Sequence, residues 1–228
     1  MGVVDTPASQ AANRAGAFPR LRYMGSKYRL VPHLAAVFTE LAGRTALDAF
    51  SGSGVVSYLF KALGYRVTAN DFLTFPSVIA QATVVNQDTT LAPGDVERIC
   101  GPAADYAPPR DDNCYIKRYH FLEGLSVYWR GQQVMENTQT RKLAKRYTPF
   151  SYTRTATNAL RRTFRQFSES AIVLSYSSNA VPDAAAIEAL LREVKDDVDV
   201  RLVDHTYTFG THASVHRRAA SEYLFIAR

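Results

Sequence analysis

The chain has 228 residues, 46% of them hydrophobic, and a formal charge of +6 with a pI near 9.4, which suits a well-cored domain with a polyanionic partner. Cys100 and Cys114 are too few, and too unsupported by histidine spacing, for a disulfide framework or a zinc site; no metal is expected, and a reducing cytoplasm fits. No apolar run approaches the roughly 20 residues of a membrane helix, and the opening stretch lacks the apolar centre of a secretory signal, so no membrane association is expected.

Residues 1–19, rich in Ala with Asn13, Arg14 and Gly16, read as a mobile tail, and residues 20–228 as a single domain. Leu30, Leu34, Val37, Phe38 and Leu41 recur at helical spacing, and Gly43 suits a glycine C-cap. A short strand, Thr45–Phe50, then meets the turn Ser51-Gly52-Ser53-Gly54, followed by an apolar helix from Val55 to Leu63 ending at Gly64. Arg66–Asp71 makes a second strand with an acid at its carboxyl end, which together is half of a doubly wound sheet. Further helices are predicted at Ser77–Val85, Asp95–Cys100, Asn113–Trp129, Ala156–Phe167 and Ala184–Val194. In the Asn113–Trp129 helix, Ile116, His120, Leu122 and Leu125 lie partly on one side. Ala171–Tyr176 and Val198–Val203 read as strands, and Thr206–Phe209 with Tyr223–Ile226 as a closing antiparallel pair.

A glycine turn between strand and helix exposes backbone N–H groups to a ligand, because glycine has no Cβ to hold it away. Asp71 stands where such folds place a carboxylate to accept from ribose hydroxyls. With two glycines the loop falls short of the dinucleotide fingerprint and suits a ligand with no phosphate to cradle; the plainer reading is a tight turn alone.

Three ordered segments, Arg22-Tyr23-Met24-Gly25-Ser26-Lys27, then Leu47-Asp48-Ala49-Phe50-Ser51-Gly52-Ser53-Gly54, then Ala69-Asn70-Asp71, resemble the opening motifs of the Dam-type adenine-specific DNA methyltransferases. The resemblance resumes from Tyr106 through Lys117–Glu123, Thr148–Ser151 and Ser175–Asn179. It implies an α/β, Rossmann-like methyltransferase fold, S-adenosylmethionine as cofactor and double-stranded DNA as partner, with a cognate restriction endonuclease system as a further candidate. It also implies that Tyr23, Gly25 and Lys27 contact the cofactor, that Asp48, Phe50, Gly52 and Gly54 line it, and that Asp71 holds its ribose.

Adenine's exocyclic amine is a weak nucleophile, and the family meets it with Asp-Pro-Pro-Tyr, in which an acceptor pair takes the amine hydrogens and a ring stacks on the flipped base. Two placements are open here. If Tyr106 is the aromatic residue, Ala103-Ala104-Asp105 replaces Asp-Pro-Pro, and the catalytic candidates are Asp105 and Tyr106. If Pro108-Pro109 is the proline pair, Ala107 and Arg110 flank it. Neither places a carboxylate where the family has it. Asp71 and Tyr106 are 35 positions apart, too few for the family's middle strands plus its target-recognition region, so the fold is expected to be truncated in the middle by an internal deletion joining near Asp105. Asp95 after Gly94 could imitate a cofactor-contacting acid, although a helix N-cap is the plainer role.

From Arg141 through Gln166 there are eight Lys or Arg residues and no acid, interleaved with Tyr147, Phe150 and Tyr152. Arg141, Lys142, Lys145, Arg146 and Arg154 are the DNA-contact candidates, against the plainer reading of a solvated helix face at Arg161, Arg162 and Arg165. His120 reads as a packed helix histidine, and Ser175–Ser178 as a shaping segment. The leading functional expectation is methyl transfer to adenine in DNA. The alternatives are a remnant that binds cofactor or DNA without transfer, and a methyltransferase acting on RNA or small molecules.

Overall fold

The computed structural model describes residues 6–19, 21, 23–87, 89, 90, 92, 94, 115–136, 142–144, 146–203 and 221–228, with 115–118 as backbone only. They belong to two compact units, Met1–Arg146 and Tyr147–Arg228, where the sequence reading expected one domain over 20–228.

The first unit opens with α1 (Pro7–Gly16), which corrects the expectation of a mobile tail for these residues. Thr6 caps it, its Oγ1 accepting from Ser9 N at 3.2 Å, and Pro7 sits where a missing N–H costs nothing. The alanines that suggested mobility are a packing face: Ala11 and Ala15 are buried, and α1 packs on α2 (Val31–Leu41) and α3 (Val55–Ala62). A 3-10 turn, Tyr28–Leu30, leads into α2, whose buried residues are Val31, Leu34, Ala35, Val37 and Phe38. The left-handed residue closing α2 is Ala42, at φ 47°, and not Gly43. Gly43 serves close approach instead: its N–H donates to Tyr65 Oη at 2.9 Å, and a Cβ there would lie 2.7 Å from Tyr65 Cε1.

Strand β1 (Thr45–Asp48), α3 and β2 (Arg66–Ala69) form a parallel β-α-β unit with Thr45 opposite Arg66 and Asp48 opposite Ala69. Pairing continues past the strand ends, as Asn70 N donates to Asp48 O and Ser51 N to Asn70 O, both at 2.8 Å. Next, α4 (Thr74–Ala80) runs into a wider π turn, Gln81–Val85. The predicted Asp95–Cys100 helix lies outside the described residues. Helix α5 (Tyr115–Ser126) is kinked at Tyr119, and among its described side chains Tyr119, His120 and Glu123 are buried, as is Gly124, whereas Leu122 and Leu125, expected on the packed side, are exposed.

In the second unit a capped 3-10 turn, Pro149–Ser151, precedes α6 (Thr153–Gln166). Then come β3 (Ile172–Ser177), α7 (Ala184–Arg192) with Asp183 as its N-cap, β4 (Val198–Val203) and β5 (Glu222–Ala227). The sheet order is β3-β5-β4, with β5 antiparallel to both neighbours. Residues 206–209, the expected partner of the last strand, lie outside the described residues. Leu160 and Phe164 of α6 and Ile187, Leu190 and Leu191 of α7 pack with Val198, Phe225 and Ala227 to form the core of this unit. Among the described residues no helix is long and apolar enough to cross a membrane.

Candidate cofactor and DNA sites

The extension of pairing beyond β1 and β2 places Asp71 beside the glycine turn. Gly52 N donates to Asp71 Oδ2 at 2.8 Å, and Leu73 N donates to Oδ1 at 2.9 Å, so the carboxylate is fixed from both sides. Each carboxylate oxygen has two acceptor positions, so among the described residues one on each remains for hydroxyls. Gly52 and Gly54 have φ of 49° and 81°, in the left-handed region that favours glycine. Tyr23 lies directly over the turn: a Cβ on Gly52 would fall 2.8 Å from its Cε1.

The segment carrying Tyr23 is held from two directions. Ser26 and Ser53 hydroxyls meet at 3.2 Å, and the Tyr23 ring stacks on Tyr119 with centroids 4.9 Å apart and planes 6° from parallel. Tyr119 Oη accepts from Met24 N at 2.6 Å. Gly25, at φ 77°, makes the turn between them, and Ser26 N returns to Tyr23 O at 3.1 Å. Lys27 sits at the head of the 3-10 turn. Phe50, at 60% exposure, stands open to solvent where β1 ends.

Asp48 faces inward, and its Oδ2 accepts from Ser57 Oγ at 2.6 Å. Burial pushes its carboxyl above the usual value; the Ser57 hydrogen bond opposes this and the Asp71 charge adds to it. Asp48 therefore braces the turn against α3.

Sequence reasoning missed Tyr119 as a positioning residue and Glu123 altogether. Glu123 is 1% exposed. Its Oε2 accepts from Thr74 N at 2.7 Å and Phe75 N at 3.0 Å, satisfying the first N–H groups of α4. Its Oε1 pairs with Arg146 at 2.8 Å, and Arg146 also lies 5.3 Å from the Phe72 ring centroid. The spacing of Tyr119 and Glu123, one helical turn apart, was visible, but their partners Met24, Thr74 and Arg146 lie 95, 49 and 23 positions away.

The catalytic candidates Asp105 and Tyr106, and the DNA candidates Arg141 and Lys145, lie outside the described residues. Lys142 O accepts from Met135 N at 2.7 Å; Arg146 is half-exposed in its pair with Glu123. Arg154, in the second unit, lies over the Tyr152 ring at 5.7 Å. Of the α6 arginines expected as a solvated face, Arg161 and Arg165 pair with Glu193 at 3.0 and 3.1 Å.

The family model described as D12 class N6 adenine-specific DNA methyltransferase matches residues 23–166. A type II methyltransferase of Haemophilus parahaemolyticus, M2.HphI, is 33% identical over 82 residues, 36% of this chain and 24% of that protein. The modification methylase LlaI of Lactococcus lactis subsp. lactis is 34% identical over 70 residues, 30% of this chain and 11% of that protein. The matches thus span less than a quarter of either relative's length, and no solved structure matches. This chain belongs to the D12 class N6 adenine-specific DNA methyltransferase family.

Proposed function

We propose that the chain binds S-adenosylmethionine at the Gly52–Asp71 turn and transfers its methyl group to the exocyclic amine of adenine in double-stranded DNA. The observation that carries the proposal is the fixed geometry of that turn. A carboxylate with free acceptor positions is locked to a left-handed glycine, and an aromatic ring lies over it. The parallel β-α-β unit supports a Rossmann-like fold, in which ligands gather at the carboxyl ends of the strands.

The residues fit the cofactor. Asp71 accepts from ribose hydroxyls, the Gly52-Ser53-Gly54 backbone lets Tyr23 sit close over the turn, and Tyr23 with exposed Phe50 offers aromatic surface to a purine. When bound, the cofactor supplies an electrophilic methyl group. Tyr23, Gly25, Lys27 and Asp48 complete the proposed cofactor set, and Asp105 and Tyr106 are the proposed acceptor and stacking residues for the adenine. Lys142, Arg146 and Arg154, with Arg141 and Lys145, supply positive charge toward the phosphates. A partner restriction system, in keeping with relatives named as a type II methyltransferase and a modification methylase, and a cytoplasmic setting are part of the same proposal.

A second reading, a remnant that binds without transfer, is favoured by the sequence Ala103-Ala104-Asp105, which moves the acid from its family position. Labelled methyl transfer to mixed-sequence duplex DNA, with protein in excess and the product digested to nucleosides, separates the two. Label in N6-methyladenine is the expected result. Cofactor binding with no label would establish the remnant reading, and label in RNA or small molecules alone would overturn both.

A further inference from the structure

The second unit carries an open concavity of about 500 Å³ walled by Tyr147, Tyr152, Arg154, Asn158 and Arg162, with no acidic residue lining it among the described residues. Its volume lies within the roughly 300–1,000 Å³ typical of small-ligand sites. Two features set it apart from an ordinary basic helix face. First, the arginines of α6 divide by partner. Arg161 and Arg165 are neutralised by Glu193, whereas Arg154 and Arg162, the two that line the concavity, have no carboxylate partner among the described residues. Second, aromatic rings are held at its edge. Tyr147 is 52% and Tyr152 43% exposed, their centroids are 5.5 Å apart and their planes tilted by 35°, and Arg154 covers part of Tyr152. Asn158 Oδ1 is taken by Arg161 Nη1 at 2.9 Å, which leaves its amide N–H groups as donors.

Anion-seeking guanidiniums beside exposed rings match the chemistry of a nucleotide whose base is out of the stack, since a paired base offers no face to a side chain. We propose that this concavity binds one unstacked nucleotide of a DNA strand, its phosphate between Arg154 and Arg162 and its base against the Tyr147–Tyr152 wall. The tyrosines stand too close for a base to slide between them, so it lies on the exposed side of the pair. The site rests on the DNA-acting reading proposed above but needs neither cofactor nor methyl transfer.

The test is fluorescence anisotropy of the full chain, without cofactor, with a labelled oligothymidylate of about 12 nucleotides and a duplex of equal length. Thermal melts confirm that each variant is folded. Arg154→Gln with Arg162→Gln is expected to weaken single-strand binding about tenfold and to lower the slope of log affinity against log salt by roughly 0.7, one phosphate's worth. Tyr147→Leu with Tyr152→Leu is expected to weaken it about five- to tenfold with the slope unchanged, and to affect the duplex less. Arg165→Gln, which removes an arginine neutralised by Glu193 and outside the lining, is expected to leave binding as in the parent.

Parent-like binding by the folded tyrosine variant would overturn the nucleotide site and leave only backbone attraction. An equal loss on single strand and duplex in that variant would overturn it too. If the parent transfers methyl groups while both double variants bind as it does, this inference falls and the proposed function stands. If the variants show the expected losses while the parent transfers no methyl, the proposed function falls and the nucleotide site stands.

Discussion

At the scale of single residues, the glycine turn and its two acids differ in kind. Asp71 is an acceptor held in place by backbone N–H groups; Asp48 is inward-facing and braced by Ser57. Because burial raises the Asp48 carboxyl in the folded state, the folded protein holds more protons than the unfolded chain between the ordinary value and the raised one. Stability from this group therefore falls as pH rises through that window and is level above it. Asp48→Asn keeps an acceptor for Ser57 and removes the titration. Its urea midpoint relative to the parent is expected to rise as pH increases upward from the ordinary carboxylate value; a constant difference would show that Asp48 does not titrate abnormally. Asp71→Ala would strand two backbone N–H groups, at a cost of about 1–3 kcal/mol in denaturant unfolding, and parent-like stability would mean that neither bond matters.

At the scale of elements, the readable parts were those whose signal is local. The strands Thr45–Asp48 and Arg66–Ala69 and the helix between them followed from apolar runs separated by glycine turns, and Val198–Val203 was found at its observed bounds. The N-terminal helix was missed because its alanines carry little hydrophobic pattern, although Thr6-Pro7 is a readable helix start. Its burial predicts that Ala15→Glu destabilises by about 2 kcal/mol or more, from a charge with no partner in the helix contact. A melting temperature equal to the parent's would mean that α1 does not pack as described. On α5 the buried side was misjudged because Glu123 reads as a solvent residue until its remote partners, the start of α4 and Arg146, are known. Arg146→Ala leaves that buried carboxylate with its backbone donors alone. Since Arg146 is half-exposed, the loss expected in denaturant unfolding is screened to about 1–2 kcal/mol, and no loss would show the pair to be energetically idle.

At the scale of the molecule, the sequence pattern revealed the cofactor turn more fully than its setting. Gly52, Gly54 and Asp71 could be singled out because the chemistry of a close-approaching ligand requires those residue types near strand ends. Tyr23 stood out only through family resemblance. The ring that stacks on it, Tyr119, could not be found, because the contact joins positions 23 and 119 and leaves no local trace. The division into two units was likewise hidden, since no composition shift marks residue 146. Family membership covers residues 23–166 and so includes parts of both units.

The central claim is that the Gly52–Asp71 turn, roofed by Tyr23, holds S-adenosylmethionine, and titration calorimetry of the full chain with that cofactor tests it most directly. The parent is expected to bind one equivalent. Gly52→Ala, which puts a Cβ 2.8 Å from the Tyr23 ring at φ 49°, is expected to bind at least about tenfold more weakly, or roughly 1.4 kcal/mol, while a thermal melt shows it folded. A folded parent that binds no cofactor, or a Gly52→Ala variant that binds as tightly as the parent, would contradict the account.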